Sequence, residues 1–170
     1  MKKLFLLSLL LFTCLSALEL GKVAPTLSIS GEDGSILTGE AWSSKVLKGR
    51  VTLLFYVDPD TNDDNNPLAV ALKKKAFPSS DFHSVAIVNL SSTWIPNILI
   101  ESHLKSKQKN YPAVTYIKDK TGFILKHWNL KDGHSDVLLF NKNGKLLYQK
   151  FKTLSKEEIS KVIHLIEAAI

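Results

Sequence analysis

The chain has 170 residues, 45% hydrophobic and 22% charged, with 8 Gly, 6 Pro, one Cys and a formal net charge of +6. Collagen-like, coiled-coil, low-complexity and disulfide-framework proteins each need a composition bias that is absent here. An ordinary globular domain remains, and no catalytic constellation stands out in it.

Met1-Lys2-Lys3, the apolar residues 4–12 and the small or polar Thr13-Cys14-Leu15-Ser16-Ala17 read as a secretory signal peptide over residues 1–17. The apolar run is shorter than the about 20 residues a spanning helix needs, so no stable membrane span is expected after cleavage near Ala17. Leu11 stands three residues before Cys14, as in a lipoprotein signal, but Phe12 and Thr13 are bulkier than such a signal prefers. Cleavage leaves residues 18–170 as a single domain and lowers the net charge to +4, because Lys2 and Lys3 leave with the signal. So mild a charge, in an exported protein, argues against nucleic-acid binding. With Cys14 gone no thiol remains, which excludes thiol–disulfide exchange, thiol peroxidase chemistry, cysteine proteolysis and thiolate metal sites.

Along the domain, residues 26–30 alternate like a half-buried strand, and Gly31-Glu32-Asp33-Gly34 turns the chain into residues 35–38, which reads as a small hairpin. Residues 51–57 form a continuous apolar, β-branched and aromatic run, the pattern of a strand covered on both faces in a mostly parallel sheet. The polar residues 58–66 follow, ending in an asparagine cap with Pro67 opening a helix over 68–76 whose last turn carries Lys73-Lys74-Lys75. A second buried strand spans 82–90, a helix runs from Pro96 to about Lys109, a short strand covers 114–117, and 123–128 makes one or two helical turns. Residues 137–140 and 145–150 flank the turn Asn141-Lys142-Asn143-Gly144 as an antiparallel hairpin. Ser155 and Glu158 then have capping-box spacing, and Ile159, Val162, Ile163, Ile166 and Ile170 recur on one face of a terminal helix. Mixed βαβ units closed by a hairpin and a helix describe an α/β sandwich.

That order resembles a thioredoxin-like fold of the exported kind. The resemblance is carried by Gly21-Lys22-Val23-Ala24-Pro25, by Lys48-Gly49-Arg50 before a hydrophobic strand, and by residues 137–144 as strand plus turn. More closely the chain is similar to the YtfJ-like family of exported bacterial proteins, through Val88-Asn89, Tyr111-Pro112, Trp128-Asn129-Leu130 and the final hairpin and helix, all in that family's order. The resemblance implies a thioredoxin-like α/β sandwich with a central mixed sheet, an N-terminal β-hairpin extension and a C-terminal helix. It also implies a location in the bacterial periplasm, without an established activity. By that correspondence the two cysteines of a reductase would fall near Thr61 and Asp64, and the proline facing them at Ser135; none of the three is present. The groove between residues 58–66 and Gly133-His134-Ser135 is then expected to persist as a binding surface.

Asp58, Asp60 and Asn62 have the alternate spacing of a calcium loop, but Asp63 stands where the loop needs glycine and Ala69 where it needs a bidentate carboxylate. His83, His103, His127 and His134 lack metal-motif spacing, although His103 and Lys107 share one helix face four residues apart. Ser135, Asp136 and His134 have the residue types of a nucleophilic triad, but neighbours on a strand point to opposite faces. Trp42, Trp94 and Trp128 read as core and rim packing. Lys105, Lys107 and Lys109 alternate along a helix and read as a solvated face.

Two functions are therefore carried forward. The first is a non-catalytic binding or accessory module for an exported protein or peptide, without a cofactor, using Asp58, Asp60, Thr61, Asp64, His134 and Ser135. The second is a metal-binding protein or metal-dependent enzyme using the acidic loop 58–66, through Asp58, Asp60 and Asn62, together with His134.

Overall fold

The computed structural model describes residues 17–61 and 63–170. The signal-peptide reading, apart from Ala17, and Asn62 lie outside the described residues. The strands in chain order are β1 (Ser28–Ile29), β2 (Gly34–Ile36), β3 (Trp42–Ser43), β4 (Val51–Val57), β5 (Phe82–Asn89), β6 (Val114–Asp119), β7 (Ser135–Phe140) and β8 (Leu146–Lys150). The helices are α1 (Asn66–Lys75), α2 (Asn97–Asn110), α3 (Phe123–Trp128) and α4 (Lys156–Ala169).

Six strands make one sheet in the order β2-β6-β5-β4-β7-β8. β4, β5 and β6 run parallel, with α2 as the crossover from β5 to β6, and β2, β7 and β8 are antiparallel to their neighbours. β4 lies inside the sheet with both faces covered, as its unbroken apolar run requires. On one face Leu53, Val51 and Val137 pack with Leu68 and Leu72 of α1 and Val162, Ile163 and Ile166 of α4. On the other, Leu54, Tyr56, Val85 and Ile87 pack with Ile124 and Trp128 of α3 and with Trp42. Trp42 and Trp128 meet edge to face with ring centroids 6.3 Å apart, so both are core residues. Ser155 accepts the Glu158 amide while the Glu158 carboxylate accepts the Ser155 amide, completing the capping box that starts α4.

The N-terminal antiparallel pair differs in its partners from the hairpin read at 26–38. β1 pairs with β3, and β2 instead joins the main sheet against β6. Gly34, at φ +151°, decides this: a Cβ there would overlap the Lys118 carbonyl oxygen, so glycine lets the chain run close against β6. At the opposite edge, residues 20–24 lie along the start of β8. Gly21 N–H donates to Leu146 O at 2.8 Å, and Leu146 N–H donates to Lys22 O at 2.9 Å. The described residues contain no helix long and apolar enough to cross a membrane.

Candidate functional site

Three loops converge beyond the C-terminal ends of β4 and β5. The chain leaving β4 is held to the loop before β7, because Asp58 N–H donates to His134 O at 3.3 Å. It turns at once: Asp58 Oδ1 accepts Asp60 N–H at 2.8 Å and Asp58 O accepts Thr61 N–H at 3.0 Å, shaping a 3-10 turn over Pro59–Thr61. The loop after β5 is fixed to both neighbours. Asn89 Nδ2 and Ser92 Oγ donate to the two oxygens of Asp132, at 3.1 and 3.0 Å, and Thr93 Oγ1 lies 3.4 Å from Asp60 Oδ1.

Buried polar groups tie this end to the core. Asn65 reaches in both directions, its Nδ2 donating to Ser135 O at 2.8 Å and its Oδ1 accepting Leu154 N–H at 3.1 Å. Asn65 stands at the cap of α1, but its side chain is spent on these two partners and no side chain caps the helix; the asparagine cap read at the end of residues 58–66 is corrected, because Asn66 already belongs to the helix. Asn66, inside the helix, donates to Asp63 Oδ1 instead. Asp136 is fully buried, with Oδ2 accepting Lys131 N–H at 3.1 Å and Oδ1 without a partner among the described residues. Burial pushes its carboxyl up to about 7, against the pull of the Lys131 amide and charge. Burial also raises the Asp58 carboxyl, helped by the Asp60 and Asp132 charges and opposed by the amides of Asp60 and Gly133.

A cavity of about 350 Å³ opens beside these loops, between α1 and α2 on the sheet face. Phe55, Val57, Ala86, Val88 and Tyr116 make its floor, in adjacent register on β4, β5 and β6. Ala69 of α1 and Leu99, Ile100 and Leu104 of α2 are among its walls, and Pro59, Asn65 and Ser135 bring the loops to its end. Trp94 and Ile98 stand 85% and 77% exposed on the segment that also supplies Ile95 and Leu99 to the lining, so apolar surface continues out of the cavity.

The structure thus brings together Asp58, Asp60, His134 and Ser135, with Thr61 closing the same turn and Asp64 beyond it, its N–H donating to Thr61 O at 3.2 Å. Ser135 is only 1% exposed, reaching the site as cavity lining. The four histidines do not converge: His83 bonds Thr115 across 2.9 Å, and His127 stacks on Phe123. Among the described residues no three His, Asp or Glu side chains are grouped to hold a metal ion, and Asn62 lies outside them. Lys107 corrects the reading of a solvated lysine face. Unlike the exposed Lys105 and Lys109 it is half-buried against the cavity, where burial lowers its ammonium and the Asp63 charge opposes the shift. The cavity walls escaped the sequence reading, although a signal was present: Trp94-Ile95-Pro96-Asn97-Ile98-Leu99-Ile100 holds more apolar side chains than one helix face buries.

A family model described as "Bacterial protein of unknown function (YtfJ_HI0045)" matches residues 22–169. The uncharacterized protein YtfJ of Escherichia coli (strain K12) is 28% identical over 158 residues, covering 88% of this chain and 85% of that one. Among solved structures, the thioredoxin domain of a thiol-disulfide oxidoreductase from Bacteroides vulgatus superposes with a TM-score of 0.62 at 15% identity, covering 88% of this chain and 99% of that one. The pneumococcal exposed lipoprotein thioredoxin of Streptococcus pneumoniae superposes with a TM-score of 0.57 at 16% identity, over 83% and 99% of the two chains. The fold is thioredoxin-like.

Proposed function

The chain belongs to the YtfJ_HI0045 family of bacterial proteins of unknown function, and on that premise we propose that it works in the periplasm as a non-catalytic binding module for an apolar group of a partner. The observation that carries this reading is the cavity between α1 and α2, with apolar walls and a pre-formed floor on the rigid sheet. Its end is built from Pro59, Asn65 and Ser135, the part of the scaffold where the family resemblance would put redox chemistry. No cysteine occurs in residues 17–170, so the thiol chemistry named for the structural neighbours has no nucleophile here. The N-terminal residues 1–17 support export. The groove at Asp58, Asp60, Thr61, Asp64, His134 and Ser135 then borders the binding site, with the Asp58 and Asp60 carboxylates taken up in shaping the loops.

Binding of Nile red, a neutral dye that brightens in apolar surroundings, tests the reading. Saturable binding is expected for the protein and not for Ala69→Phe, which fills the cavity from α1 and should melt as the parent does. Equal dye binding in a folded Ala69→Phe would remove the cavity from the function. A polypeptide recovered from the periplasm that begins near Leu18 is the expected result for export.

A further inference from the structure

Resting on that cavity as the binding site, we propose that its occupant is a medium-length acyl chain ending in a carboxylate or similar anionic head. The shape comes first. About 350 Å³ lies near the small end of the range for ligand sites, roughly 300–1,000 Å³. The space is bounded by strand side chains below and helices on two sides, so an extended chain can lie on the floor between them.

Charge sets the other half of the ligand. Among the described lining residues no Asp or Glu appears, and Lys107 carries the one fixed charge. His103 lines the same cavity one helical turn earlier, so imidazole and ammonium stand together on α2. A second ammonium stands close by: Lys73 Nζ of α1 lies 4.9 Å from the ring centroid of Tyr111, itself a lining residue. The exposed Asp63 is an opposing charge near Lys107. An apolar cavity with an ammonium on its wall favours an amphiphile over a neutral hydrocarbon, since the head gains charge-assisted hydrogen bonds while the tail is buried.

Calorimetric titration with octanoate and with octanol reads the head and tail separately. Octanoate is expected to bind about tenfold more tightly than octanol, the size of effect of one hydrogen bond to a charged group. Lys107→Met, which keeps the aliphatic stem, should bring octanoate down to the octanol affinity and leave octanol unchanged; Ala69→Phe should abolish both. Octanol binding as well as octanoate, or octanoate binding unchanged in Lys107→Met, overturns the anionic head while the binding reading stands. Failure of octanoate, octanol and Nile red together overturns the binding reading itself. An apolar hexapeptide amide that displaces octanoate at lower concentration overturns the acyl assignment in favour of a peptide. Vesicles of phosphatidylglycerol distinguish the source. Co-sedimentation lost in both variants assigns the chain to a membrane lipid, no co-sedimentation alongside octanoate binding assigns it to a free carboxylate, and co-sedimentation surviving both variants overturns the site.

Discussion

The phenol of Tyr56 donates to Asp119 Oδ2 across 3.0 Å, and the same carboxylate accepts the amides of Phe123, Ile124 and Leu125. One fully buried acid thereby caps α3 from the end of β6 and fastens it to β4, the strand beneath the candidate site. Burial, and then the Asp119 charge and hydrogen bond, hold the phenol protonated well above the usual tyrosine range. Gly122, at φ +68°, lets the chain turn back from Asp119 into the helix, which is why the cap comes from so far upstream.

Tyr56→Phe removes the hydroxyl from this arrangement without changing the ring. Asp119 keeps its three amide donors but loses the fourth, and the expected cost is about 1.5–3 kcal/mol, as for a hydrogen bond to a charged group. Urea unfolding checks it: the midpoint should fall while the slope stays constant. A midpoint equal to the parent's would mean that the bond adds nothing net.

Asp136 makes stability depend on pH in the direction opposite to an ordinary paired carboxylate. Its folded value of about 7 lies above the unfolded value of about 3.9, so the folded protein binds the extra proton. The contribution is fully present below about pH 4 and is lost as the pH rises to about 7. Asp136→Asn, which stays neutral, should therefore be more stable than the parent at pH 8, by up to about 4 kcal/mol, and the gap should close near pH 4. Asp58 and Asp119 are raised by burial too and remain in the variant, so some decline with pH should persist. Thermal melts from pH 4 to 8 measure the difference, and a gap that widens toward acid would reverse the assignment.

Asn65→Ala strands two buried backbone groups at once, the Ser135 carbonyl and the Leu154 amide. Each unsatisfied group costs about 1–3 kcal/mol, so the loss should reach several kcal/mol and exceed that of an ordinary helix-cap substitution, about 1 kcal/mol. Hydrogen exchange at the Leu154 amide supplies a local readout. Protection there should fall in Asn65→Ala further than at the Val162 amide of α4.

The elements that depend on near neighbours were legible. The run at Val51–Val57, the hairpin of β7 and β8 and the Ser155 box each declare themselves within a few residues, because periodicity, turn chemistry and capping are local physics. Asn65 shows where that stops. The spacing puts the cap at Asn66, next to Pro67, but the helix already includes Asn66 and the cap position falls to Asn65, whose amide is claimed by partners 70 and 89 residues away, a long-range competition that spacing does not disclose. The approach of residues 58–66 to His134 was visible through family resemblance, which carries tertiary information. The cavity was not, since it depends on small side chains such as Ala69 and Ala86 leaving room between elements far apart in the chain. The strand partner of β1 was missed for the same reason: two adjacent strand-like segments around a glycine turn suggest pairing with each other, and the third strand competes from beyond them.

The treatment of the sheet's two margins bears on how such a protein survives at high concentration. One margin is β2, only three residues long; the other is β8, whose first residue has both backbone groups engaged by residues 21–22 and whose last is Lys150. Short margins, covered margins and a terminal lysine all deny another chain a template for strand pairing. Intermolecular β-stacking is therefore suppressed in the native state by backbone geometry, and the exposed Trp94 and Ile98 can serve recognition with a smaller risk of aggregation.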